Sequence, residues 1–210
     1  MGSLTEAPAT GASPAEDAGN RRGDILRAAG KLFREKGYKA TTIRDIAAAV
    51  NMRSGSPFYH FKTKHDMLLA VAIDGIAAIH DAVVAAAQAE PEPRSRFRAM
   101  IHAHLDALLN PEGRDFAAVV IRECGFLDPE AWAQVQTHKD SYEVLWSRTL
   151  DELAAAGILK GDMHITRLLL LGAMNWSTHW YHPGGSRSPE DIARQLCALV
   201  LSDEKARYKK

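Results

Sequence analysis

Thr42-Ile-Arg-Asp-Ile-Ala-Ala-Ala-Val-Asn-Met-Arg-Ser-Gly-Ser-Pro-Phe-Tyr-His-Phe-Lys-Thr-Lys64 decides the fold, and it reads as two short helices joined by a tight turn. Thr42 is placed to cap the first helix, and Asp45, three residues on, to reach back as the other half of a capping box. Ile43, Ile46, Ala47 and Val50 recur at helical spacing and make one apolar face. Asn51 follows, and after glycine asparagine is the residue that best tolerates the positive φ of a sharp turn. Met52 is apolar and closes the corner. Ser54 is a good cap for a second helix over about Gly55–Phe61, and Pro57 then falls in its first turn, where backbone N–H groups have no intrahelical partner. Thr63 and Asp66 repeat the capping-box spacing at the start of the next helix. Two short helices meeting at such a turn form a helix-turn-helix, whose second helix fits the major groove of DNA.

Charge agrees with this reading. Residues 21–64 carry 11 Lys and Arg against 3 Asp and Glu, a net of +8. Residues 65–210 carry 15 against 20, and residues 1–20 carry 0 against 3, so the whole is neutral. A basic block on a neutral chain is the electrostatic pattern of a DNA-binding head on a body that does not bind DNA.

At these residues the chain resembles the TetR-type bacterial transcriptional regulators. The resemblance is carried by Ile25-Leu-x-Ala-Ala-x-x-Leu-Phe33 with Lys36-Gly-Tyr38, by Thr41-Thr-Ile-x-Asp-Ile-Ala47, and by Ser54-Gly-Ser-x-Phe-Tyr-His-Phe-Lys-Thr-Lys64, over about residues 22–70. Asn51 stands where the family usually has glycine, and Pro57 where it usually has an aliphatic residue; the proline shifts the expected start of the recognition helix.

The expected DNA contacts are Thr42, Arg44, Arg53, Ser54, Gly55, Ser56, Tyr59, His60 and Lys64. Small residues at Ser54, Gly55 and Ser56 permit close backbone approach, and hydroxyls bond bases or phosphates. Arg44 and Arg53 have the reach for guanine edges or phosphate. Tyr59, His60 and Lys64 match family positions that touch phosphates, and Lys64 also sits at a helix start, where backbone N–H groups favour an anion. For Tyr59 and His60 the competing reading is packing within the head; Phe58 and Phe61 read as core, and Tyr38 as a residue packed back on the head.

The rest of the chain reads as helices. One runs from about Arg22 to Lys36 and stops at Gly37; a long one starts near Lys64 and runs to about Gln88, with Gly75 as a place to bend. Further helices are expected at about 94–109, 114–124, 129–156, 163–181 and from Pro189, where Ser188 is the cap and Asp191 its partner. Leu168-Leu-Leu-Leu-Gly-Ala-Met174 is apolar nearly all round, so that helix is expected to be buried on more than one side. The expected fold is therefore all-α, of about nine helices. Its divisions are a disordered tail over 1–20, a three-helix head over 21–66 and a ligand-binding and dimerisation domain over 67–210. Arg21 and Arg22 are candidates for a minor-groove arm.

The resemblance implies a homodimer through the last two helices, and two recognition helices about one DNA turn apart, roughly 34 Å, match operator geometry. It also implies a small-molecule pocket in the body and a repressor released from double-stranded operator DNA by its effector. Polar and aromatic residues on apolar helices are the candidates: His102, His104, Arg122, Tyr142, Trp146, Asn175, Trp176 and His179. Each also fits an ordinary core or interface position. Gly172-Ala-Met-Asn-Trp-Ser-Thr-His-Trp-Tyr-His-Pro-Gly-Gly185 is similar to a signature in a branch of the family that includes repressors of lipid and sterol-ring breakdown, which sense coenzyme A thioesters. Metal- or multidrug-type sensing on the same fold, and a ligand-independent helical adaptor, are the alternatives.

Other classes have little to carry them. Two cysteines in unrelated contexts, Cys124 and Cys197, form no disulfide framework and suit a reducing cytoplasm. His102 and His104 are two apart and point to different helix sides, and Pro183 spoils helical geometry beside His179 and His182, so neither pair predicts a metal. A Gly-rich phosphate loop, a nucleophile elbow and HExxH are all missing from the sequence, so neither catalysis nor a cofactor is expected. Uninterrupted apolar runs fall short of the roughly 20 residues of a membrane span.

Overall fold

The structure, a computed structural model, describes residues 14–201, with the backbone alone for residues 14–20. Eight α-helices follow one another: α1 (Pro14–Lys36), α2 (Ile43–Ala49), α3 (Lys64–Ala89), α4 (Pro93–Leu109), α5 (Pro111–Arg122), α6 (Pro129–Ala155), α7 (Met163–Trp180) and α8 (Pro189–Val200). Short 3₁₀ turns lie at Ser56–Tyr59 and Cys124–Phe126. The count of about nine falls to eight because the segment read as a recognition helix is the first of these turns. The expected tail divides: residues 1–13 lie outside the described residues, whereas 14–20 are the opening turns of α1 rather than disordered.

The head closes on its own core. Ile25, Leu26, Ala29 and Phe33 of α1 pack with Ile46 of α2, with Phe61, and with Met67, Leu68 and Val71 of α3. Val119 of α5 joins the same cluster. The long helix α3 thus belongs to both halves: its first turns complete the head, and Val83 lies in the core of the body. It is long and apolar enough to cross a bilayer by length and composition, though Asp74, His80 and Asp81 interrupt its apolar run, and Met67, Leu68, Val71, Ala72, Gly75 and Val83 are buried within the fold. The body core is built from Phe97, Met100, Ile101, Leu105 and Leu108 of α4, Trp146, Leu150 and Leu153 of α6, Leu170 and Met174 of α7, and Ala193 and Cys197 of α8.

Two glycines fix how the helices meet. A Cβ on Gly75 would lie 2.5 Å from Cβ of Phe116, so this glycine lets α5 press against α3 rather than bending the helix. A Cβ on Gly113 would lie 1.8 Å from the carbonyl oxygen of Ala107, so α5 can follow α4 this tightly only with glycine there. Asn110, read as part of a break, caps α5 by accepting from the Gly113 N–H at 2.7 Å, and Pro111 takes the first helical position.

In the single chain α7 is not buried all round. Leu170, Leu171, Met174 and Ser177 face inward. Ile165, Leu168, Leu169 (69 % exposed), Trp176 (62 %) and Trp180 form an outward stripe at helical spacing, and Leu199 of α8 is exposed as well.

Candidate functional site: a basic helix-turn-helix head over a buried cavity

The turn of the head is built as its residues dictate. Thr42 and Asp45 exchange both bonds of a capping box, Asp45 N to Thr42 Oγ1 at 3.1 Å and Thr42 N to Asp45 Oδ2 at 2.8 Å. Those bonds, with a further one from Lys36, hold the Asp45 carboxyl down at about 2. Asn51 takes φ +54 after α2, and the Met52 N–H returns to the Ala47 carbonyl at 2.8 Å, which turns the chain sharply. Beyond it the expected helix shortens. Gly55, not Ser54, stands at the start of the 3₁₀ turn, and Ser54 makes no capping bond. Pro57 is buried in its first turn, and His60 and Phe61 N–H both donate to its carbonyl. A tight 3₁₀ turn thus stands where two turns of α-helix are expected.

Of the expected DNA contacts, Arg44, Arg53, Ser54, Gly55 and Tyr59 lie on the surface together, and Ser56 and His60 are half-buried beside them. Tyr59 is 91 % exposed, so it is not a packing residue; Phe58 is half exposed and only Phe61 enters the core. Thr42 is spent largely on its cap.

Lys64 is placed differently from the expectation. Its Nζ donates to the carbonyls of Tyr38 and Thr41, each at 2.8 Å, and stands 4.4 Å from the centre of the Tyr38 ring. All its donors are turned onto the α1–α2 connection, so it fastens the head rather than reaching for a phosphate. Thr41, fully buried, donates to Gly37 O at 2.9 Å in the same knot, and Tyr38 packs edge-on to Phe33 and stacks on Phe126. Arg22 is likewise occupied, by Asp74 at 3.2 Å and the Phe61 ring.

In the body, five helices line a cavity of about 280 Å³ that opens to the surface, where Ile121, Leu168, Gly172 and Asn175 are exposed. Ile76 and Ile79 of α3, Phe116, Ala117, Val120 and Ile121 of α5, and Leu168 and Leu171 of α7 make it apolar. His104 of α4, Lys139, Tyr142 and Glu143 of α6, and Asn175 of α7 bring polar groups to it. His104 is buried and its Nδ1 is 2.5 Å from the Tyr142 hydroxyl, with the two rings stacked. Burial pulls its pKa down to about 4, with Asn175 opposing, so the ring is neutral near pH 7. Burial also raises the Tyr142 phenol. His104 is one of the residues that line the cavity, and its Nε2 is buried without a hydrogen-bond partner. A buried polar atom left unpaired is rare in a folded protein and marks the residue as a candidate for ligand recognition.

Three of the eight predicted pocket residues, His104, Tyr142 and Asn175, therefore line one cavity. Trp146 stands behind them, fully buried and edge-on to both rings. His102 lies elsewhere on α4, and Trp176 is stacked on His179 at the surface, 4.1 Å between ring centres. Arg122 and His179 line a separate, smaller pocket. Among the described residues no group of three or more His, Cys, Asp or Glu is placed to hold a metal ion. Phe116, Lys139, Glu143 and the two facing glycines, Gly75 and Gly172, were not foreseen.

Ion pairs from α1 reach α5 and the middle of α3. Arg34 pairs with Asp115, Arg27 with Glu112 at 3.7 Å, and Arg22 with Asp74. Phe116 sits between them, against Gly30 of α1 and Gly75 of α3, while also lining the cavity.

Residues 25–71 match the family model for bacterial regulatory proteins of the tetR family, and residues 90–203 match that for the tetracyclin repressor-like C-terminal domain. The chain belongs to the TetR family. Among its relatives is the HTH-type transcriptional repressor KstR2 of Mycolicibacterium smegmatis, 29 % identical over 199 residues, which cover 93 % of this chain and 94 % of that repressor. Among solved structures, superantigen PfiT matches at TM-score 0.74 and 37 % identity, over 87 % of this chain and 97 % of that one. AibR in complex with isovaleryl coenzyme A and operator DNA has the same fold, at TM-score 0.77 and 24 % identity, over 86 % of this chain and 98 % of that one.

Proposed function

We propose that this protein is a cytoplasmic, dimeric, DNA-binding repressor of the TetR family, released from its operator when a coenzyme A thioester enters the cavity of the body. The head acts over residues 21–66, and residues 67–210 bind ligand and dimerise. The observation that carries the ligand class is the unpaired, buried His104 Nε2, on a residue that lines a mainly apolar cavity with Tyr142, Asn175, Lys139 and Glu143. With the Tyr142 hydroxyl donating to Nδ1, the neutral ring presents Nε2–H, a donor suited to a carbonyl oxygen, while the apolar walls accept an acyl group. The stretch from Gly172 to Gly185, which resembles the signature of a thioester-sensing branch, and the fold shared with AibR, solved with isovaleryl coenzyme A, support the same class.

Arg44, Arg53, Ser54, Gly55, Ser56, Tyr59 and His60 carry the DNA contact, Arg as phosphate or guanine ligand and Tyr59 by lying against the backbone. The exposed stripe of Ile165, Leu168, Leu169, Trp176 and Trp180, continued by Leu199, is the face that a second copy covers. Ligand in the cavity displaces Phe116, and through Gly30 and Gly75 the displacement reaches the head. The connecting ion pairs are exposed and worth only about 0–1 kcal/mol each, so they yield readily.

The reading is tested by titrating labelled DNA from upstream of the gene, and an unrelated duplex, at two salt concentrations, with the mass of the complex measured by light scattering. Tight binding of a dimer to the upstream duplex alone, falling steeply with salt, is expected. Equal weak binding to both duplexes, or a monomer, contradicts it.

A further inference from the structure

Next to the apolar cavity lies a second pocket, of about 120 Å³, formed by Arg34 of α1, Arg114, Ala118, Ile121 and Arg122 of α5, and Thr178 and His179 of α7. Ile121 forms a wall of both pockets, so the two adjoin. Within about a turn, α5 passes from Val120 in the cavity to Arg122 in the basic pocket, and α7 passes from Asn175 to Thr178 and His179. Three guanidinium groups meet there against little negative charge. Arg34 is answered by Asp115 and Glu35. Arg114 lies 6.0 Å from the centre of the Tyr181 ring and forms no ion pair with a carboxylate among the described residues. Arg122 is exposed and has no polar partner among the described residues. Arginines left uncompensated around a concave site are suited to phosphate, which they bind in a planar, two-pronged fashion.

We propose that this pocket binds the phosphate groups of the effector while its acyl end occupies the cavity and its carbonyl accepts from His104. The assignment rests on the coenzyme A thioester reading above and adds the part of the ligand that the cavity does not explain. A mainly apolar cavity with a few polar groups suits many carbonyl compounds; the adjoining cation cluster selects those that carry phosphate. It also gives the ligand a direct hold on the head. Arg34 belongs to α1, and a phosphate beside it competes with Asp115, loosening one of the ties between α1 and α5.

The test is calorimetric binding of octanoyl coenzyme A, of its N-acetylcysteamine thioester, which keeps the acyl group and the carbonyl but has no phosphate, of coenzyme A itself and of inorganic phosphate. Wild type, Arg114→Gln, Arg122→Gln and the distant surface control Arg148→Gln are compared. The proposal expects octanoyl coenzyme A to bind wild type and Arg148→Gln at least tenfold more tightly than the truncated thioester. It expects that margin to fall at least fivefold in Arg114→Gln and Arg122→Gln, with the truncated thioester unchanged in all four proteins. Octanoyl coenzyme A bound equally by all four proteins overturns the phosphate site and leaves the thioester reading standing. Coenzyme A bound by wild type and lost in the two pocket variants, with no gain from the octanoyl group, supports the site and overturns the acyl reading. Inorganic phosphate bound as tightly as coenzyme A overturns a nucleotide-bearing ligand, as does a loss of DNA affinity in Arg114→Gln or Arg122→Gln without ligand, which assigns the cluster to DNA.

Discussion

The head and the body hold their functional groups in opposite ways. In the head every large aliphatic side chain of α1 and α2 is at least partly buried, and the groups proposed to meet DNA stand outside, Arg44 on α2 and Arg53 and Tyr59 on the connection that follows it. In the body the acting groups are inside: His104 and Tyr142 are buried, joined to each other, and turned toward an apolar space. A surface that meets DNA draws its strength from charges whose partner is large and always anionic. A cavity that must recognise a small molecule needs few polar groups, placed without competition from water. The glycine contacts at Gly30 and Gly75, both on Phe116, are where the two arrangements touch.

The contrast breaks most completely if the body cannot close. Gly113→Ala puts a methyl group into the Ala107 carbonyl, backbone against backbone, and should cost about 3 kcal/mol or more, lowering Tm by roughly 10 °C in a thermal melt. It should do so without changing the charge of the head. A melt within 2 °C of wild type would show that α4 and α5 separate easily.

The outward character of the head is tested next. Tyr59→Ala and Arg53→Ala should each weaken DNA binding roughly tenfold, with the melt and thioester binding unaltered. If Arg53 meets a phosphate, its loss should also reduce the salt slope by about one. Unchanged affinity in both variants would mean that DNA does not meet this turn.

The inward character of the body has a pH signature. The His104 pKa is about 4 when folded, against 6.5 for the free side chain, because burial disfavours its charged form. Below about pH 6.5 the unfolded chain takes up a proton that the folded chain refuses. Stability therefore falls between about pH 6.5 and 4, by up to about 3 kcal/mol, and this loss stops below the folded pKa. Urea unfolding across that range should show the decline, and His104→Phe should flatten it. An equally steep decline in the variant would assign it to other groups.

The smallest effect separates two roles for one residue. Lys64→Met should destabilise the head by about 1 kcal/mol through loss of its bonds to the Tyr38 and Thr41 carbonyls, while the salt slope of DNA binding stays as in wild type. A slope reduced by one with no loss of stability would return Lys64 to the phosphates.

How much was legible in the sequence follows the same division. The helix-turn-helix was readable because its determinants are local: Thr42 with Asp45, Thr63 with Asp66 and the positive φ of Asn51 each involve neighbours in the chain. The exception is the segment after Arg53, where helical spacing suggested more helix than a buried Pro57 allows. The bonds that Lys64 makes were not legible because its partners lie 23 and 26 residues away, beyond any local pattern. The cavity was partly readable, since His104, Tyr142 and Asn175 are polar residues on apolar helices. Phe116 and Gly75 were not, because an aromatic and a glycine 41 positions apart say nothing of each other until α3 and α5 pack. The apolar circumference of α7 was legible as a need for burial, and the single chain leaves that need half met.

Whether the cavity governs the head is decided by linkage between the two ligands. The dissociation constant for operator DNA should be measured by fluorescence anisotropy with and without saturating octanoyl coenzyme A, and that for the thioester with and without DNA. The account predicts that each ligand weakens the other by the same factor, at least tenfold. A thioester that binds at the cavity and leaves DNA affinity unchanged would contradict it.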